Sequence, residues 1–237
     1  MKVYEIRLKI FLLEDIQQEK TYTVFADYID SCMTKDEKFG RLHQKNCYKN
    51  YCFDQFYPVE KDGIYKKDTI YTVRIRTVDN ELADYFSGNL ANHYNEQIKG
   101  LTREIKVIPK KFISQIYTVT PAIMKCDDKN SQDNKGYWKN YISFEQYESR
   151  LKINLVKKYN EMTAEKLDEE FDLYQQIEIL NRKPIAVPYK GIRLLGDKLS
   201  IQVADNETAQ KLIYMALGTG LCEMNSRGLG FLNYRYL

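Results

Sequence analysis

Val3-Tyr-Glu-Ile-Arg-Leu-Lys-Ile-Phe-Leu12 sets the reading of the first half of the chain. Tyr4, Ile6, Leu8, Ile10 and Leu12 fall on one side of an extended backbone, and Glu5, Arg7 and Lys9 on the other. A period of two predicts a strand with one face on a core. Outward from it, Phe25, Tyr28, Ile29, Cys32 and Met33 recur at helical spacing. Tyr51 to Tyr57 reads as a strand closed by Pro58, and Asp62-Gly63 as a turn. Tyr71, Val73 and Ile75 alternate with Thr72, Arg74 and Arg76 in a third strand. Leu82, Tyr85, Phe86, Leu90, His93 and Tyr94 form a second helical stripe, and Leu101, Ile105 and Val107 begin a fourth strand. The order β-α-β-β-α-β predicts a ferredoxin-like unit.

The second half repeats the theme. Ile116 to Met124 reads as a strand. The polar stretch from 127 to 136 reads as a loop. Ser143 and Gln146 make a capping box, followed by an apolar face of Phe144, Tyr147, Leu151, Leu155, Tyr159 and Met162. Strands are expected at Ile177–Leu180 and Ile192–Leu195, with Gly196-Asp197 as a two-residue hairpin turn before Leu199, Ile201 and Val203. Asp205 is the expected cap of a helix carrying Ala209, Leu212, Ile213 and Ala216. The fold class is therefore α+β, two tandem ferredoxin-like domains, the second with an extra β-hairpin. The expected domains are residues 1–113 and 114–237.

Composition narrows the function classes. The 237 residues carry a net charge of +3, so a nucleic-acid partner would need local basic patches. No run of about 18 apolar residues occurs, so no membrane span is expected. The N-terminus lacks the apolar stretch of a secretory signal. Five cysteines without framework spacing predict free thiols in a reducing cytoplasm. His43, Cys47 and Cys52 cluster, but without a Cys-x2-Cys pair. Structural zinc normally requires four ligands at characteristic spacings, so neither metal nor cofactor is expected.

The end of the chain concentrates glycine: Gly218-Thr-Gly220-Leu-Cys-Glu-Met-Asn-Ser-Arg-Gly228-Leu-Gly230-Phe231, after a helix and before a short strand. That order excludes a P-loop and a Rossmann fingerprint. Glycines permit close backbone approach, and successive N–H groups can form an anion-binding concavity. Gly220 to Gly230 resembles the C-terminal G-h-G-x5-G-h-G loop of the Cas-six family, CRISPR-associated endoribonucleases that cut precursor CRISPR RNA within its repeats. Cys222 stands where that family usually has a glycine. The approach from Lys190 to Leu217 is similar to the family's strand–hairpin–strand–helix order.

The resemblance implies a function and a site. It implies metal-independent cleavage of CRISPR repeat RNA by the adjacent 2′-hydroxyl, leaving a 2′,3′-cyclic phosphate and a 5′-hydroxyl. It implies a catalytic histidine between the first helix and second strand, with a lysine and a tyrosine. His43 in the polar stretch Gly40–Lys49, Lys49 (with Lys45 as the rival) and Tyr28 fit that pattern. A neutral imidazole can accept the hydroxyl proton, and a lysine can stabilise charge on phosphate oxygens. His93 lies on an apolar stripe and reads as a core histidine. The expected RNA contacts are Gly218, Gly220, Asn225, Ser226, Arg227, Gly228, Gly230, Lys190 and Arg193. The expected partners are repeat RNA and other Cas proteins of an effector complex, with the protein a monomer or homodimer. The alternative implied is a catalytically inactive repeat-RNA-binding subunit of such a complex.

Overall fold

A computed structural model describes residues 1–126, 136–168 and 170–237; the loop expected at 127–136 lies almost wholly outside these. The first half runs β1 (Val3–Leu12), β2 (Ile16–Gln17), α1 (Thr21–Met33), α2 (Glu37–Gln44), β3 (Tyr51–Phe53), β4 (Ile64–Tyr65), β5 (Ile70–Thr77), α3 (Asn80–Asn89) and β6 (Ile98–Ile108). The second runs β7 (Ile113–Thr118), α4 (Phe144–Thr163), β8 (Tyr174–Ile179), β9 (Ile185–Tyr189), β10 (Ile192–Gly196), β11 (Leu199–Val203), α5 (Glu207–Thr219) and β12 (Leu232–Tyr236).

Two four-stranded antiparallel sheets organise these elements, in the orders β3-β5-β1-β6 and β12-β7-β11-β8. Each order is that of a ferredoxin-like unit, with the first and third strands central. Ile6 sits opposite Ile75 and Ile105, while Glu5 sits opposite Arg76 and Lys106. The period of two in β1 thus continues across the sheet, so one face is apolar and the other charged. Ile6, Leu8 and Ile10 are fully buried against Phe25, Ile29 and Phe86. In the second half Ile116, Ile201 and Leu232 pack with Leu151, Leu155 and Leu212.

The caps explain where the helices begin. Asp36 accepts from the N–H groups of Lys38 and Phe39 to start α2, and Ser143 and Gln146 form the expected capping box of α4. Asn206, not Asp205, caps α5 by accepting from the Ala209 N–H. The hairpin turn is not at Gly196-Asp197 either. It lies at Lys190-Gly191 between β9 and β10, where both residues take positive φ. Asp197 is instead buried, and accepts from the Tyr137 hydroxyl, the Trp138 indole and the Asn181 amide.

The halves meet along β1, β5 and α5. Gly218 lies within α5, and a Cβ there would fall 2.7 Å from Val78 Cγ1 and 3.1 Å from Val3 Cγ1. Its glycine lets α5 lie against the first sheet. Arg76, fully buried, donates to Glu5 and to the carbonyl of Leu232 on β12, and its guanidinium covers the Phe231 ring at 4.4 Å. No helix among the described residues is long and apolar enough to cross a membrane.

Candidate functional site

α1 turns its apolar stripe to the sheet and another face outward. Tyr22, Thr23, Ala26, Asp27 and Asp30 fall on that second face and line a cleft of about 200 Å³. The opposite wall is the β9–β10 hairpin with Pro188, Tyr189 and Lys190; Arg227 and Leu229 of the glycine loop and His43 close it. His43 reaches the cleft from the last turn of α2, so the polar stretch Gly40–Lys49 begins as helix. Phe39 anchors α2 by packing on Tyr85, ring centroids 4.4 Å apart.

The centre of the cleft is a shared carboxylate. His43 Nδ1 lies 3.0 Å from Asp30 Oδ1, and Arg227 Nη1 donates to Asp30 Oδ2. The histidine contact is within ion-pair distance but off the hydrogen-bond line, so Oδ1 is a buried acceptor without an aligned donor. His43 keeps 28% of its side chain exposed, against 15% for Asp30. With Nδ1 turned to the carboxylate, Nε2 is the ring nitrogen left for a ligand. Burial and the nearby Asp30 charge push the Asp27 carboxyl up, while Arg227 and Lys190 pull it down. Two acids therefore face two cations, and an entering phosphate would compete with the acids for Arg227 and Lys190.

Other expected site residues take different places. Tyr28 is fully buried; its hydroxyl donates to the carbonyls of Leu90 at 2.5 Å and His93 at 3.0 Å. It points into the first core, away from His43, because it belongs to the apolar stripe of α1. Lys49 spends its ammonium on the carbonyls of Leu42, His43 and Lys45, so it closes the C-terminus of α2 and has no N–H left for a phosphate. Lys45 is exposed just beyond His43. Arg193 is exposed on β10, outside the cleft lining. His93 is buried, with Nε2 2.8 Å from Ser31 Oγ and Nδ1 2.9 Å from Lys35 Nζ.

The glycine loop is not an open cradle. Gly218, Gly220, Asn225, Gly228 and Gly230 are buried. The N–H groups of Arg227, Gly228, Leu229 and Gly230 donate within the protein, to the carbonyls of Met224, Asn225, Met224 and Pro121. Gly228 is needed for packing: at φ +81°, a Cβ would lie 2.5 Å from Phe53 Cε2 and 2.7 Å from Tyr22 Cδ1. The loop thus presents Arg227, with Ser226 half-buried beside it, and hides its backbone.

Sequence reading missed the groups that connect these parts. Asp27 and Asp30 sit three apart on the helix face beside the apolar stripe. Tyr22 and Tyr189 are the tyrosines that line the cleft, and Tyr28 is not among them. Lys158 on α4 is 2% exposed and ties the glycine loop from behind. Its spacing was a signal, since it falls three residues after Leu155 and seven after Leu151 on the apolar stripe.

Comparison with known proteins converges on this architecture. The family model for CRISPR associated protein Cas6, C-terminal, matches residues 103–234, more than half of the chain. The chain belongs to the Cas6 family, the Cas-six family of the sequence resemblance. Among solved structures it is similar to a RAMP protein binding different RNA substrates, at 15% identity and TM-score 0.73, covering 98% of this chain and 99% of that one. It is similar to a Cas6-related protein from Pyrococcus furiosus, at 16% identity and TM-score 0.66, covering 98% of each. A Cas6 product complex matches at 13% identity and TM-score 0.62, covering 99% of this chain and 100% of that one. At these identities the likeness is one of fold. Comparison with curated protein sequences gives no match.

Proposed function

We propose that this protein is a metal-independent endoribonuclease of CRISPR repeat RNA, with His43 as general base. The observation that carries the reading is His43 Nδ1 3.0 Å from Asp30 in a cleft that also holds Arg227 and Lys190. Family membership and the likeness to an RNA-binding RAMP protein and to a Cas6 product complex support RNA as the substrate class.

The chemistry follows from the arrangement. Asp30 orients the imidazole through Nδ1, and Nε2 accepts the proton of the ribose 2′-hydroxyl. The 2′-oxygen attacks the adjacent phosphorus and the P–O5′ bond breaks, giving a 2′,3′-cyclic phosphate and a 5′-hydroxyl. Arg227 and Lys190 stabilise the charge growing on the phosphate oxygens. Of the two cleft tyrosines Tyr22 is buried and Tyr189 half-buried, so Tyr189, rather than Tyr28, is the one placed to give a proton to the leaving oxygen. RNA supplies its own nucleophile, so the reading requires no metal or cofactor.

The test is incubation of the purified protein with repeat RNA in excess EDTA. Specific cleavage with 2′,3′-cyclic phosphate ends is expected. His43→Ala is expected to lower the rate by roughly 10²–10⁴-fold while leaving RNA affinity intact. Tight binding without cleavage by the wild type would replace this reading with that of an inactive repeat-binding subunit.

A further inference from the structure

Lys158 is a lysine in the middle of a helix, buried to 2% exposure, among the buried side chains Tyr147, Leu151, Leu155, Val156 and Tyr159 of the same helix. Burying an ammonium is costly unless every N–H is met. Here all three are met, and by one short segment: Gly220 O at 2.9 Å, Cys222 O at 2.8 Å and Asn225 Oδ1 at 2.7 Å. No carboxylate pairs with it among the described ion pairs. Asn225 extends the grip, donating from Nδ2 to the carbonyls of Leu221 and Leu229, both at 2.9 Å. One cation and one amide thus fix the carbonyls of Gly220, Leu221, Cys222 and Leu229, which span the whole loop. Two of those residues flank the turn that carries Arg227. A methionine of similar length would fill the helix position without the desolvation cost, so what the lysine adds is the loop's geometry.

We infer that Lys158 is a positioning residue: through the glycine loop it sets Arg227, and through Arg227 and Asp30 it sets His43. The inference rests on the proposed nuclease reading for its kinetic consequence and on geometry alone for its structural one. An ammonium is needed because a neutral amine has two N–H groups for three oxygens. The groups facing Nζ are Cys52 on β3, Tyr48 before it with its ring 5.7 Å away, and Cys222 and Glu223 in the loop. Burial raises both thiols to about 12, so neither supplies a compensating charge near neutrality. Burial also lowers the Lys158 ammonium to about 8, which places its loss of a proton within reach of an assay.

The experiment compares wild type, Lys158→Met and, should that variant misfold, Lys158→Gln, with folding checked by circular dichroism. In single-turnover cleavage of repeat RNA, both variants are expected to lose about 10–10²-fold in rate, the scale of a misplaced reacting group, with KM little changed. The wild-type rate is expected to decline above pH of about 8, and this limb should be missing in the variants. Amide hydrogen exchange is measured alongside, since it does not depend on cleavage. Leu221 to Gly230 should exchange faster in the variants while α3 is unaffected. A folded variant with wild-type exchange in the loop overturns the inference even if no form of the protein cleaves RNA. Faster loop exchange with an unchanged cleavage rate overturns the link from loop to His43. A wild type that binds without cleaving, with the loop loosened in the variants, overturns the nuclease reading and leaves the loop assignment standing.

Discussion

Arg227 and Asp30 are joined by a salt bridge across 197 residues of sequence. The other oxygen of the same carboxylate stands 3.0 Å from His43. The glycine loop at the end of the chain and the histidine near its start therefore share one acid. On the proposed reading, a phosphate that draws Arg227 toward itself leaves the Asp30 charge to the imidazole. Substrate binding and activation of the base would then be one event.

Asp30→Asn tests this sharing, because it keeps the shape and removes the charge. A charge-assisted contact of this kind is worth about 1.5–3 kcal/mol, which converts to roughly 10–10²-fold in rate. Single-turnover cleavage should fall by that amount, while RNA affinity holds or rises because Arg227 is released. A variant that cleaves like wild type would remove Asp30 from the mechanism.

Tyr28→Phe separates packing from catalysis. The hydroxyl serves the carbonyls of Leu90 and His93 inside the first core. Leaving those acceptors without their donor should cost about 1–3 kcal/mol of stability. The change should appear as a lower melting temperature with the cleavage rate of the folded protein preserved. A catalytic role would show the reverse: unchanged melting and a lost rate.

The fold was legible because its signals are periodic. β1, β5 and the stripes of α1 and α4 each declare one buried face, and both sheets follow from them. What stayed hidden was relational. Nothing in Asp30 distinguishes it from a solvated acid until α2, the hairpin and the glycine loop converge on it. α2 itself is eight residues with a single buried apolar side chain, Phe39, too short for a period to stand out. The glycines were conspicuous, but their chemical meaning was not. Gly228 is glycine because Phe53 and Tyr22 occupy the space of a side chain, and an internal neighbour leaves the same sequence mark as an external phosphate.

That distinction gives a paired prediction. Gly228 and Gly191 both take positive φ, +81° and +79°. A Cβ at Gly191 would meet nothing within 4 Å, whereas one at Gly228 would collide with two core rings. Gly191→Ala should cost only the backbone strain, about 1–2 kcal/mol. Gly228→Ala should cost that plus about 1–3 kcal/mol of overpacking. Denaturant titration of the two variants measures the gap. Equal losses would mean that the loop is not packed as described, and would restore the reading of an open cradle.

The Glu5–Arg76 pair predicts an acid transition. Both side chains are 2% exposed and meet at 2.8 Å, and Arg76 continues to the Leu232 carbonyl of the second half. Burial by itself would raise the Glu5 carboxyl, but Arg76, Arg7 and Lys106 together hold it down at about 2, below its ordinary 4.5. A carboxylate lowered in the folded state adds stability that is present above the unfolded value and lost as pH falls through the folded one. The window is therefore from 4.5 down to about 2. At 1.36 kcal/mol for each unit, the loss attributable to this residue is about 3 kcal/mol. Glu5→Gln cannot titrate, so its stability should be lower at neutral pH, where Arg76 is left without a counter-charge. It should also decline less steeply across the window. Urea unfolding at a series of pH values from 5 to 2 gives both curves. The difference between them should close as the pH falls; two parallel curves would show that Glu5 carries no such depression.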